Sequence, residues 1–288
     1  RNNQLYVWVD FGPPSITAFN RHVILDRFDG YFNLTMTYRR DSDIYFPFGI
    51  MMKIHENLRR NPKSADLQKL MLTKDKEVIW VNDKCLFTKG YGFHLRIVAK
   101  LIALGIPLDI YGGCVASQRR TDIDLVRYKF VLVFEDKMHC RDYISKKVWT
   151  ALEMGTVPVI WGPLRADIAA VLPPNSYLFL EDYQSVVELA NHLKYFIQNA
   201  ESYLEFLKWR IDPQNRQIPK RKLTSLKSIT DESYGLCQLC KLLHEDERDE
   251  LMAGFRPAHR VPSIYHWWYL ENTKNCLIPA GSFEMTIN

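Results

Sequence analysis

From Tyr128 to Phe134 the chain reads YKFVLVF, apolar and rich in β-branched and aromatic side chains, the pattern of a strand buried on both faces. A polar turn, Glu135 to Arg141, follows. Beyond it Ile144, Val148, Ala151 and Leu152 recur at helical spacing, which predicts a helix over Tyr143 to Met154 with Asp142 as N-cap and Gly155 as terminator. Val157 to Trp161 is a second short apolar run and ends at Gly162. Strand, turn, helix and strand in such quick succession make a βαβ unit.

The same alternation extends to either side. Val78 to Val81 predicts a strand, Leu95 to Leu104 an amphipathic helix ending at Gly105, and Ile106 to Tyr111 a strand ending in Gly112-Gly113. After Gly162 the pattern predicts a helix over Ala166 to Val171, a strand over Tyr177 to Leu180, and helices over Ser185 to Gln198 and Glu201 to Arg210. Alternating elements of this kind argue for a parallel sheet covered by helices. Nearer the start, Leu5 to Val9 and Tyr31 to Tyr38 read as strands, the first running into the breaker-rich turn Asp10-Phe11-Gly12-Pro13-Pro14. Residues 53–77 are polar and lysine-rich and read as a linker between two lobes. Residues 211–231 read as a basic loop, Leu236 to Met252 as a helix, and His266-Trp267-Trp268-Tyr269 as packing. The expected division is a first lobe over 1–75, a second lobe over 76–215 and a helical extension over 216–288.

Composition alters this picture little. With 288 residues the chain is long enough for one large or two medium domains. A net charge of +5 favours anionic ligands in a general way, and no basic run interleaved with aromatics points to nucleic acid. No apolar run reaches the roughly 18 residues that span a bilayer, and no signal peptide is present. Cys237-x-x-Cys240 has the form of half a zinc site, but no second ligand pair follows at metal spacing. Asp41-Ser42-Asp43 and Asp122-Ile123-Asp124 have the D-x-D form without a placement that suits a metal. Asn33-Leu34-Thr35 is an N-glycosylation sequon and, with six cysteines, leans towards the secretory pathway.

Lys146 and Lys147 stand where the helix should begin. Basic residues there oppose the helix macrodipole by roughly 0.3–1 kcal/mol, so the choice is between solvated lysines and an anion held by amides and ammonium groups together. A nucleotide diphosphate is the natural anion at the carboxyl ends of such strands.

The run FEDKMHCRDYISKKVWTALEMGTVPVIWGP resembles the donor-binding signature of the α-1,3/1,4-fucosyltransferases, a pattern close to F-E-N-S, a spacer, D-Y-V/I-T-E-K, then G-x-V-P-V-x-x-G. Phe134, Glu135, Asp142, Tyr143, Lys147, Gly155, Val157, Pro158, Val159 and Gly162 fit it. YFNLTMTYRRDSDIYFPFG at 31–49 and LPPNSYLFLEDYQSVVELANHLKYF at 172–196 resemble the same family, and the likeness covers most of residues 5–245. It implies a GT-B fold of the α/β class, two Rossmann-like lobes facing across a cleft, with the N-terminal lobe incomplete here. It implies inverting transfer of L-fucose from GDP-fucose to the N-acetylglucosamine of a lactosamine-type glycan, without a metal cofactor. The nucleotide would be held by Arg96, Glu135, Asp136, Tyr143, Lys146 and Lys147. A membrane anchor upstream of Arg1 and residence in the Golgi lumen as a single-pass type II membrane protein are further implications. In the family the C-terminal C-x-x-C pairs with cysteines nearer the N-terminus.

Four positions depart from the family pattern. The proposed base glutamate aligns with Gly12, which leaves Asp10 as the nearby carboxylate and the catalytic candidate. The amide of F-E-N-S is replaced by Asp136, and the acid of T-E-K by Lys146; the two new charges can compensate one another. A family cysteine pair between the first and third strands of the donor lobe is replaced by Ile79 and Tyr128. These departures leave open a catalytically impaired protein that binds glycan or nucleotide, or a transferase with a changed donor sugar.

Overall fold

The structure is a computed structural model that describes residues 5–14, 17, 24–48, 64–82, 91–112, 123–135, 140–211, 234–253 and 261–270. Asp136, Asp122, Cys85, Cys114, Cys276, Gly113 and nearly all of the expected 211–231 loop lie outside the described residues. The chain forms two compact units, one built from 1–53, 139–144 and 221–277, the other from 54–138, 145–220 and 278–288.

The first unit holds a three-stranded parallel sheet of β1 (Val7–Asp10), β2 (Leu34–Thr37) and β3 (Ile44–Tyr45), in that order. Val7 lies opposite Leu34, Asp10 opposite Thr37 and Met36 opposite Ile44. The expected Tyr31–Tyr38 strand is thus confined to its middle. Every residue of β2 is buried, so its threonines need internal partners. Asp43 supplies one, its carboxylate accepting from the Thr35 N–H and hydroxyl at 2.8 Å each, while the Thr37 and Ser42 hydroxyls meet at 2.6 Å. One apolar cluster joins Met36, Ile44 and Phe46 to Tyr234 and Leu239 of the long helix α7 (Tyr234–Ala253). Another joins Leu25, Tyr38, Trp8, Phe32 and Tyr143 to Val261, Ile264 and Trp268. The chain's C-terminal segment is therefore core of this unit. Arg39, wholly buried, pairs with Asp41, donates to the Trp267 carbonyl and lies 4.0 Å from the centre of the Trp267 ring.

The second unit holds a five-stranded parallel sheet of β4 (Lys76–Val81), β5 (Leu108–Tyr111), β6 (Tyr128–Phe134), β7 (Val157–Trp161) and β8 (Leu178–Phe179), ordered β5-β4-β6-β7-β8. Its helices are α1 (Ser64–Leu72), α2 (Tyr91–Ala103), α3 (Lys146–Glu153), α4 (Arg165–Val171), α5 (Val186–Gln198) and α6 (Ala200–Leu204), the last continued by a 3-10 turn to Arg210. The strand order reverses between β4 and β6, the switch point at which doubly wound sheets bind ligands. Two elements differ from the pattern-based expectation. Helix α1 falls inside the segment read as a linker, because Leu67, Leu70 and Met71 at helical spacing pack on the sheet core among the lysines. The helix expected from Tyr143 starts at Lys146, and Asp142 does not cap it: Asp142 takes φ 61° and its carboxylate accepts from the Arg40 N–H at 3.0 Å and from Arg40 Nε at 2.5 Å. Where the family pattern has cysteine, Tyr128 donates to Asp109 Oδ2 at 2.6 Å and Lys76 Nζ donates to the same oxygen at 2.7 Å, a polar strap across β4, β5 and β6.

Asn33 is buried, its side-chain oxygen accepts the Tyr6 N–H at 2.9 Å, and Thr35 of the same sequon lies in the central strand. A glycan on Asn33 would cost this bond and open the sheet edge. Intact-mass analysis of protein from a secretory host, with and without glycosidase, should show Asn33 unmodified; a glycan on Asn33 of the folded protein would contradict this packing.

Candidate functional site

Two glycines close the sheet of the second unit at the carboxyl ends of its strands. Gly112, just after β5, has φ 118°, and a side chain there would place Cβ 1.9 Å from the Asn82 carbonyl oxygen beyond β4. Gly162, just after β7, has φ 119°, and its Cβ would lie 2.7 Å from that of Glu135 beyond β6. Adjacent strand ends are thereby drawn together in two pairs, with the β4/β6 switch point between them.

Glu135 follows β6 directly. Its N–H donates to the Trp161 carbonyl at 3.0 Å, and its buried side chain accepts the Ser145 N–H at 3.2 Å. That bond fixes where α3 begins. Ser145 is the N-cap in extended conformation, and its own hydroxyl is buried and has no hydrogen-bond partner among the described residues. Lys146 and Lys147 occupy the first two helical positions and are exposed. Two like charges at the positive end of the helix are unfavourable without an anion. Val148, Trp149, Ala151 and Leu152 bury the opposite face. At the far end Arg210 donates to the carbonyls of Leu152 and Glu153, offsetting the negative end of the dipole. Beneath it Lys74 donates to Thr156 Oγ1 at 3.2 Å, and burial pushes its ammonium group down to about 7.

Arg96 lies in α2 and is exposed, while Ile97, Val98 and Leu101 bury the other side of that helix. Helix α2 begins at Tyr91, earlier than the expected Leu95, because Phe93 and His94 pack on Trp161 with ring centres 4.9 and 5.0 Å away. His94 also meets Phe134 at 5.3 Å, so it sits against the ends of both β6 and β7. Sequence reasoning passes over it, since nothing local marks a histidine as an aromatic packing partner.

In the first unit Asp10 ends β1. Its Oδ1 accepts the Gly12 N–H at 2.8 Å and its Oδ2 accepts the Thr17 hydroxyl at 3.2 Å. The Thr17 oxygen in turn accepts the Trp268 indole N–H at 3.1 Å. Burial raises the Asp10 carboxyl above the usual aspartate range, and the bonds from Gly12 and Thr17 pull it partly back. The carboxylate therefore stands beside the backbone of the position where the family pattern carries its base. Tyr143 also belongs to this unit, where its ring meets Tyr38 edge-on at 5.1 Å. The structure thus assembles Glu135, Ser145, Lys146 and Lys147 at one strand end of the second unit, and Asp10 with Thr17 and Trp268 at one strand end of the first. Asp136 lies outside the described residues.

Asp41 is taken up by Arg39 and Arg141, and Asp43 by Thr35, so the D-S-D triplet is spent on protein contacts. Among the described residues no cluster of three His, Cys, Asp or Glu side chains is placed to hold a metal ion. Cys140 is disulfide-bonded, whereas Cys237 and Cys240 are free thiols.

Residues 71–267 match the family model of glycosyltransferase family 10 (fucosyltransferase), C-terminal part, and residues 1–49 match the fucosyltransferase N-terminal model. The chain is 34% identical over 280 residues to the 3-galactosyl-N-acetylglucosaminide 4-alpha-L-fucosyltransferase FUT3 of Bos taurus, covering 92% of this chain and 63% of that one. It is 34% identical to the 4-galactosyl-N-acetylglucosaminide 3-alpha-L-fucosyltransferase FUT5 of Homo sapiens, covering 72% of this chain and 52% of that one. The chain thus spans between about half and two thirds of these relatives' lengths. A crystal structure of an alpha1,3-fucosyltransferase with GDP-fucose matches 76% of this chain and 72% of its own at 15% identity and a TM-score of 0.50, which shows the fold. The fold class is accordingly GT-B, α/β with parallel sheets.

Because the Gly162 Cβ would collide with Glu135, and its φ is unsuited to a side chain, Gly162→Ala should loosen the hold of Glu135 on the Ser145 amide. A loss of roughly 2 kcal/mol or more in folding stability is expected. Urea denaturation with an unchanged midpoint would show that this close approach is not needed.

Proposed function

Because the chain belongs to glycosyltransferase family 10, the fucosyltransferases, we propose that the protein transfers L-fucose from GDP-fucose to a hydroxyl of N-acetylglucosamine in a lactosamine-type glycan, with inversion at the sugar's anomeric carbon. The observation that carries this reading is the start of α3, where Lys146 and Lys147 follow an N-cap whose amide is held by Glu135 at the carboxyl end of β6. Amides and ammonium groups there suit a diphosphate. In this reading the donor nucleotide binds the second unit, with Lys147 and Arg96 neutralising the diphosphate as it leaves, and Glu135 setting the helix start that presents the lysines. Charge stabilisation of the leaving group is a large share of such catalysis and is available from basic side chains. Asp136 belongs to the donor side in this reading, and the glycan acceptor binds the first unit, which also holds Tyr143.

Asp10 serves as base. As the acceptor oxygen attacks the anomeric carbon and the bond to the diphosphate breaks, the hydroxyl proton passes to the Asp10 carboxylate. Its placement at the end of a parallel strand and its raised proton affinity support this role. The Cys140 disulfide supports an oxidising compartment. No helix among the described residues is long and apolar enough to cross a membrane. The family membership supports residence in the Golgi lumen, with the anchor of a type II membrane protein ahead of Arg1.

GDP should raise the melting temperature by mass action. Lys147→Ala should weaken GDP binding by roughly 1.5–3 kcal/mol in calorimetric titration; equal affinity in wild type and variant would remove Lys147 from the donor site. For the base, Asp10→Asn in the full-length protein should abolish fucosyl transfer. Full turnover in Asp10→Asn would exclude Asp10, and slow transfer by the unmodified protein that Gly12→Glu raises about tenfold would show that Asp10 does not fill the place of the family's base.

A further inference from the structure

We propose that Thr17 and Trp268 are positioning residues that orient the Asp10 carboxylate for proton transfer, a step that rests on the reading of Asp10 as base. The three residues come from opposite ends of the sequence and meet within the first unit. Each bond in the relay has a forced direction. An indole N–H can only donate, so Thr17 Oγ1 accepts from Trp268. The hydroxyl has a single proton, which is left for one of two acceptors: Asp10 Oδ2 at 3.2 Å or the Pro13 carbonyl at 3.4 Å.

An ionised carboxylate wins that competition, because a hydrogen bond to a charged acceptor is about twice as strong as a neutral one. With Oδ1 held by the Gly12 amide and Oδ2 by Thr17, the carboxylate plane is fixed and the remaining lone pairs are aimed. When Asp10 takes up the acceptor's proton, the advantage of Oδ2 disappears and the Thr17 proton is free to turn to Pro13. The hydroxyl thus stabilises the base in its charged form and releases it on protonation. Among the described residues, the titratable groups that feel Asp10 are Tyr38 and Tyr269, with Arg39 acting on Tyr38; burial raises both phenols, so they stay neutral and do not compete for the proton near neutral pH.

Trp268 also has a packing role, with ring centres 6.0 Å from Trp8 and 5.9 Å from Tyr38. A phenylalanine keeps most of that packing and removes only the donor, which separates the two roles. Thr17→Val likewise keeps the shape of the side chain and loses the hydroxyl.

The test is a carbon-13 NMR titration of the Asp10 carboxyl, identified by its disappearance in Asp10→Asn, together with the pH dependence of turnover in the full-length protein. Thr17→Val should move the Asp10 titration and the acid limb of kcat to higher pH. It should also lower kcat by roughly 10- to 100-fold with the acceptor KM unchanged, since a carboxylate free to rotate is misplaced for proton transfer. Thr17→Ser should restore both readouts, and Trp268→Phe should shift them in the same direction by less. An unmoved Asp10 titration in folded Thr17→Val overturns the relay even if Asp10→Asn is inactive. Turnover retained in Asp10→Asn would instead remove the base assignment, while a titration that moves in Thr17→Val would still establish the relay as an electrostatic device at Asp10.

Discussion

The second unit depends on one buried interaction, the acceptance of the Ser145 N–H by the Glu135 side chain. A carboxyl group withdrawn from water needs a partner, and a helix N-terminus has amides to offer. By meeting each other the two groups settle where β6 ends and where α3 begins. Gly162 makes the meeting possible, since any side chain there would occupy the space of the Glu135 stem. Strand, helix and neighbouring strand are thus locked at a single point, and the two lysines that begin α3 are displayed there as a consequence. At the other end of the helix Arg210, half-buried, satisfies the last carbonyls. The helix is held at both ends by side chains from outside it and can carry unfavourable charge at its start.

The first unit solves a different problem. Its central strand is buried on both faces yet alternates apolar residues with threonines. The threonines are stable there because Asp43 and Ser42 return to them across a short turn, so the acidic triplet that has the form of a metal motif serves as internal hydrogen-bonding for the strand. Arg39 is buried for a related reason, paired with Asp41 and stacked on Trp267, and it ties the central strand to the C-terminal segment. That segment supplies Ile264 and Trp268 to the core, so the unit is closed by residues from both ends of the sequence.

The proposed function rests on these two solutions. A helix start rich in positive charge and amides suits a nucleoside diphosphate, and a half-buried carboxylate at a strand end suits a hydroxyl that must lose its proton. Both sit at the carboxyl ends of parallel strands, where side chains and turns converge and the backbone leaves free hydrogen-bonding groups. The family's base position is glycine in this chain, yet the neighbouring aspartate accepts that glycine's amide on one oxygen and, on the other, the hydroxyl of a threonine that is itself held by a tryptophan.

Local pattern was enough to read the βαβ core. The apolar runs at 128–134 and 157–161 become strands because buried parallel strands carry a continuous apolar signal, and Gly105, Gly155 and Gly162 end elements where the backbone turns to positive φ. Motif likeness was enough to place the chain among the fucosyltransferases. The start of α3 was not legible, because Asp142 has the chemistry of an N-cap and only tertiary structure commits its carboxylate to Arg40. Helix α1 was hidden because three apolar residues among many lysines form a face only when a sheet is there to receive them. The roles of Thr17, His94 and Trp268 were equally invisible: each depends on a partner brought near by the fold, and hydrogen bonds between residues as far apart as 17 and 268 leave no spacing to read. Sequence by itself determined the elements and the family, through short-range periodicity and motif, and tertiary structure decided which polar groups face one another, because that depends on how the chain returns upon itself.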